Sequence, residues 1–141
     1  MALVNLEPIC ARHGMYLVGE DIPEVKAIKL ADRENVITRA LGVLVENGIY
    51  AMTVFLMSSN KPKYDEFVLR GLAALLADKD VALLPDRGWK EKSGLRELLE
   101  AMRGITEDLP RLLLARKIME GALTFARYHC KALKRLEGNQ P

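Results

Sequence analysis

The chain has 141 residues, of which 50% are hydrophobic, 28% charged and only 6% aromatic. Lys and Arg number 21 and Asp and Glu 19, a formal charge of +2. These values fit one domain and exclude a disordered chain and a histone-like polycation, but a sum so close to zero says nothing about how the charge is distributed.

Ala, Leu, Glu, Lys and Arg dominate and strict alternation is scarce, so the pattern predicts an all-α protein. A first helix is expected from about Val4 to Val18, closed by Gly19 and the Asp21-Ile22-Pro23 that follows. Pro23 suits a first helical turn, where its missing N–H has no intrahelical partner. A second helical stretch runs from Pro23 to Met57. Asn47-Gly48 interrupts it, and Asp32 is placed to cap a new start; one bent helix and two separate ones both fit residues 23–57. Ser58-Ser59-Asn60-Lys61-Pro62 reads as a turn, with Ser59 or Asn60 as the next cap. Tyr64 to Ala77 follows, offering Phe67, Leu69, Leu72, Leu75 and Leu76 to a core.

Leu84-Pro85-Asp86-Arg87-Gly88-Trp89 carries the chain's clearest loop chemistry. Ser93 is a good cap for a helix from Gly94 to about Met102, with Gly104 as its stop. Thr106-Glu107-Asp108-Leu109-Pro110 opens the last helix, which is expected to reach about Leu136. The expected architecture is a single domain over residues 1–141, a bundle of about five to seven helices ending in a long amphipathic one, with 138–141 a flexible tail.

The longest uncharged apolar run, Gly48 to Ser59, falls short of the ~20 residues that a membrane span needs. No basic segment followed by an apolar stretch and a small-residue cleavage site opens the chain. Cys10 and Cys130 are too few for a disulfide scaffold and read as two buried thiols of a cytoplasmic protein.

The charge gathers on the last helix. Between Arg111 and Glu137 it has seven Lys or Arg against Glu120 and Glu137, a net of +5 that leaves −3 for the rest of the chain. At ~100° per residue, Arg116, Lys117, Arg127, Lys131, Lys134 and Arg135 fall on one arc, broken only by Glu120. Leu114, Ile118, Ala122, Phe125, Ala132, Leu133 and Leu136 fall opposite and are expected to form the buried face. Such a cationic arc is either a solvated surface favourable to the helix dipole or a binding face for a phosphate backbone. A secondary basic set includes Lys90, Lys92 and Arg96, near Arg87 and Arg103 and partly balanced by Glu91, Glu97 and Glu100. Trp89 among them either packs on the domain or on a neighbouring subunit, or stacks on a base.

Residues for catalysis are not grouped in the sequence. No glycine-rich phosphate loop, Cys-x-x-Cys or His-Glu-x-x-His occurs, so neither a cofactor nor a metal is expected. Cys10 with His13, and His129 with Cys130, would meet at a metal only if the terminal helices paired. His129 is expected to be a buried, hydrogen-bonded core histidine.

Two segments carry a resemblance. Asn47-Gly48-Ile49-Tyr50-Ala51-Met52-Thr53-Val54-Phe55-Leu56 resembles the "N-G-L … F-L" segment of the small α-helical subunit of the type III-B CRISPR effector, the Cmr RNA-targeting complex. Gly121-Ala122-Leu123-Thr124-Phe125-Ala126-Arg127-Tyr128 resembles that family's closing "E-A-L-x-F-L-x-W" helix, with Tyr128 standing for the usual Trp and Gly121 for the usual acid. The matches cover under a third of the chain and do not extend to residues 79–107. The resemblance implies a non-catalytic subunit, several copies of which stack side by side among other Cmr subunits. It also implies basic-residue contacts to the backbone of paired guide RNA and target RNA, here through Arg116, Lys117, Arg127, Lys131, Lys134 and Arg135. Two other readings of the residues are a helix-turn-helix-like DNA-binding regulator and a helical protein–protein adaptor without nucleic acid.

Overall fold

The computed structural model describes residues 5–59, 62–91 and 94–138. Seven helices and no strand occur among them: α1 (Leu6–Val18), α2 (Pro23–Lys26), α3 (Leu30–Asn47), α4 (Ile49–Met57), α5 (Pro62–Leu76), α6 (Leu95–Thr106) and α7 (Leu109–Gly138). The fold is an all-α bundle with a long C-terminal helix. The expected caps at Asn60 and Ser93, and the tail beyond Gly138, lie outside the described residues.

Local chemistry sets the first boundaries. Asn5 accepts a hydrogen bond from the Glu7 N–H at 3.1 Å, satisfying one of the free donors at the start of α1. Gly19 ends α1 in the left-handed region at φ 81°, which an L side chain resists. The last carbonyls of α1 find tertiary donors: Tyr64 Oη–H donates to Leu17 O at 2.5 Å and the buried Arg33 donates to Val18 O at 2.9 Å. Arg33 also donates to Ile28 O at 3.0 Å and Glu20 Oε2 at 2.8 Å, so it ties the end of α1 and the α2–α3 connection to α3 in one knot.

The stretch 23–57 is three helices rather than one or two. Asp32 is not a cap; Lys29 precedes α3 and Asp32 lies in its first turn. At the second break Gly48 has φ 95°, and the chain restarts at once as α4. Ile49, Met52, Thr53 and Leu56 are buried, with Thr53 Oγ1–H satisfied by Ile49 O at 2.9 Å. Gly104 does not stop α6. Its φ is not positive, and Ile105 continues the buried stripe of Leu98 and Met102. The packing energy of that third rung exceeds the ~1 kcal/mol that an interior glycine costs.

One core runs through all the elements, with Leu17, Ile37, Leu44, Met52, Leu69, Leu72, Leu76, Leu98 and Met102 among its fully buried side chains. On α5 the expected Leu69, Leu72, Leu75 and Leu76 are buried, while Phe67 is half-buried between the rings of Tyr16 and Tyr64 at 4.9 and 5.9 Å. The connection after α5 folds back on it. Leu83 and Leu84 N–H both donate to Leu76 O, and Trp89 is buried with its indole N–H on Pro85 O at 2.7 Å.

α7 packs mainly against α1 and α3. Its buried stripe is Ala115, Ile118, Met119, Ala122, Leu123, Ala126 and Cys130. Of the expected apolar face, Ile118 and Ala122 are buried and Leu133 is half-buried, while the other four residues are corrected. Leu114, Phe125 and Leu136 are exposed to 38, 38 and 61%, and Ala132 is exposed as well. Ala115, Ala122, Ala126 and Cys130 alternate there with Ile118, Met119 and Leu123, and at Gly14 and Ala122 the backbones of α1 and α7 come too close for a bulky side chain between them. The stripe is thereby turned roughly 80° around the helix, which brings its edge beside Arg116 and Lys134.

Candidate nucleic-acid interface

The rotation of α7 decides what its cations touch. Arg116, Lys131 and Lys134 lie along the seam with α3, while Lys117 and Arg135 point away from the buried stripe. Lys131 and Lys134 both reach Glu34 of α3: Lys131 Nζ lies 3.3 Å from Oε1 and Lys134 Nζ donates to Oε2 at 2.8 Å. The hydrogen bond from Lys134, with help from Lys131, holds the Glu34 carboxyl below the usual glutamate range against the opposing effect of burial. Both lysine side chains remain about half exposed.

Arg116, at the other end of the arc, is also engaged. Its guanidinium pairs with Glu120 at 3.2 Å, the residue that interrupts the arc, and donates to Val45 O at the end of α3. Arg127 is half-buried, and its Nε is shielded from solvent without a hydrogen-bond partner among the described residues. Lys117 and Arg135 are exposed and make no ion pair with a described residue. The six cations therefore form one edge with four different standings: Arg116 neutralised, Lys131 and Lys134 half-neutralised, Arg127 half-buried, and Lys117 and Arg135 open.

The secondary set does not extend this edge. Lys90 lies over the Tyr16 ring of α1 at 3.7 Å, and loss of hydration lowers its pKa. Arg96 is exposed on α6, and Lys92 lies outside the described residues. Arg87 pairs with Glu97, and Arg103 pairs with Glu100 and Glu107. Trp89 is 3% exposed and offers no open face to a base, so the packing alternative holds.

A second constellation escaped the sequence reading. Arg12 and His13 of α1 converge on Asp78 after α5, with Arg12 Nη2 and His13 Nε2 at 2.6 and 2.9 Å from Oδ2. Burial alone would raise the Asp78 carboxyl; hydrogen bonds from His13, the Asp80 N–H and Arg12 bring it down to about 2. The trio borders a cleft of about 1190 Å³, walled by Ala74, Ala77 and the loop through Arg87 and Trp89. No spacing rule links residues 12–13 to 78; only the pairing of α1 with α5 brings them together.

The histidines and cysteines stay apart. His129 is half-buried and stacks on Phe125, with ring centroids 6.2 Å apart, rather than lying in the core as expected. Cys10 is half-buried and Cys130 buried, both as free thiols. Among the described residues no three His, Cys, Asp or Glu side chains are grouped to hold a metal ion. No helix among them is long and apolar enough to cross a membrane.

No protein-family model matches the chain, and no curated protein or solved structure is significantly similar to it.

Proposed function

We propose that this protein is a non-catalytic, cytoplasmic subunit of a Cmr-type RNA-guided effector that lies along the paired guide and target RNA and holds their backbone through α7. The observation that carries the reading is the cationic edge of α7, from Lys117 through Lys131 and Lys134 to Arg135, on a helix whose sequence resembles the closing helix of that family. Contacts to phosphate suit a partner whose sequence is read by base pairing, because they position without discriminating. Exposed Tyr128 and Leu136 on α7, with Leu109 and Leu113 at its start, supply apolar area for neighbouring subunits or further copies.

The helix-turn-helix reading fits less well. A recognition helix follows a turn of about 3–4 residues, whereas residues 77–94 separate α5 from α6. The adaptor reading differs from the proposal in one measurable respect, the presence of RNA. Purification from the host at low salt is expected to recover the protein with other polypeptides and with short RNAs that share one end. Recovery of the same polypeptide assembly without RNA, unchanged by nuclease, would contradict the proposal and support the adaptor.

A further inference from the structure

Glu34 stands inside the cationic edge. Its side chain is only 12% exposed and its carboxylate faces Lys131 and Lys134, while each lysine side chain keeps about half its surface open to solvent. The neighbouring Arg33 offers it no compensation, being committed to Glu20 and to two backbone carbonyls. One carboxylate thus serves two ammonium groups, and the three together carry a single positive charge.

We infer that Glu34 is a resident counter-anion that sets the strength with which α7 holds an RNA backbone. The inference rests on the RNA-binding reading above and adds to it a residue on α3, outside the basic helix itself. A phosphate approaching Lys131 or Lys134 meets a field already reduced by the carboxylate, and must share the ammonium protons with it or displace it. The lysines are held in place, so little side-chain entropy is lost when a phosphate arrives, but the net attraction of one chain is small. Several chains along one RNA recover the affinity through multivalency, so a lone subunit binds and leaves readily while an array does not.

The test is the affinity of a labelled RNA duplex for the full chain, measured by fluorescence anisotropy across a salt series. Glu34→Gln keeps the shape and an acceptor for the lysines but removes the charge. It is expected to bind about three- to ten-fold tighter than the parent at low salt. The slope of log K against log salt should steepen by about 0.7–0.9, the equivalent of one further phosphate neutralised. Glu34→Ala should reproduce the gain. Glu24→Gln removes the same charge from an exposed site on α2 and should match the parent. Equal or weaker binding by Glu34→Gln and Glu34→Ala, or an equal gain from Glu24→Gln, overturns the role of Glu34 while leaving RNA binding intact. Absence of binding by the parent and all variants at low salt overturns the RNA reading and this inference with it.

Discussion

Gly14 of α1 faces the backbone carbonyl of Ala122 on α7 so closely that an added Cβ would stand 2.9 Å from its oxygen. The same atom would lie 2.9 Å from the Phe125 ring, and one turn along α7 a Cβ on Gly121 would meet Cys10 Sγ at 2.9 Å. The two helices pack backbone against backbone, and this contact is what turns the small residues of α7 inward.

Gly14→Ala is therefore expected to destabilise the fold. Ala gains ~1 kcal/mol of helix propensity, but overpacking against a backbone oxygen costs about 2–3 kcal/mol, for a net loss of about 1–2. Gly42 lies inside α3 with nothing within 4 Å of its Cβ position. Gly42→Ala should stabilise by about 0.5–1 kcal/mol. Thermal unfolding of the pair checks both signs.

Replacing Arg33 tests the knot at the end of α1. The guanidinium is 3% exposed and saturates two carbonyls and Glu20. Arg33→Ala leaves those acceptors without a donor, and urea unfolding should show a loss of about 3 kcal/mol or more. Arg12→Ala, whose side chain is 60% exposed, should cost well under half as much.

Asp78 gives the fold a pH dependence with a definite sign. Its carboxyl titrates near 2 against an ordinary 3.8. A carboxylate with a depressed folded pKa adds stability above its unfolded value, and that stability is lost as pH falls through the folded one. Asp78→Asn should be less stable than the parent by about 1–2 kcal/mol at neutral pH. The gap should narrow from about pH 4 downward and be nearly closed near pH 2, as equilibrium unfolding at a series of pH values would record.

Burial pushes the Cys130 thiol up to about 11 and raises that of Cys10 as well. Thiolate is the reactive form, so a disulfide reagent at about pH 8 should label Cys130 slowly in the folded chain. Cys10, half-buried, should react sooner, and both should react at once in denaturant. Mass spectrometry of the labelled peptides distinguishes the two sites.

The helices were legible in the sequence wherever local chemistry set a boundary: Gly19, Gly48 and Pro23 each mark one. The buried face of α7 was legible only in part, at Ile118 and Ala122, because side-chain size is a poor guide where helices approach closely. Leu114 and Phe125 look like core, yet the ladder Ala115, Ala122, Ala126 and Cys130 is what the neighbours demand. That ladder was visible as a pattern of small residues and would have placed the cationic arc beside α3. Which cations are open was beyond any local pattern, since Glu34 and Lys134 lie a hundred residues apart and meet only across α3 and α7. The Arg12, His13 and Asp78 cluster was hidden for the same reason.

RNA binding by the proposed edge of α7 is measured as RNA affinity once its exposed cations are removed. Lys117, Lys131, Lys134 and Arg135 are changed together to Gln, and the half-buried Arg127 is left in place to protect the fold. Salt-sensitive binding by the parent is expected. The variant should bind at least about ten-fold more weakly, with a salt slope shallower by about 2–3 for the lost phosphate contacts, and keep its helical spectrum. A folded variant that binds RNA as tightly as the parent, with the same salt slope, would contradict RNA binding by this edge.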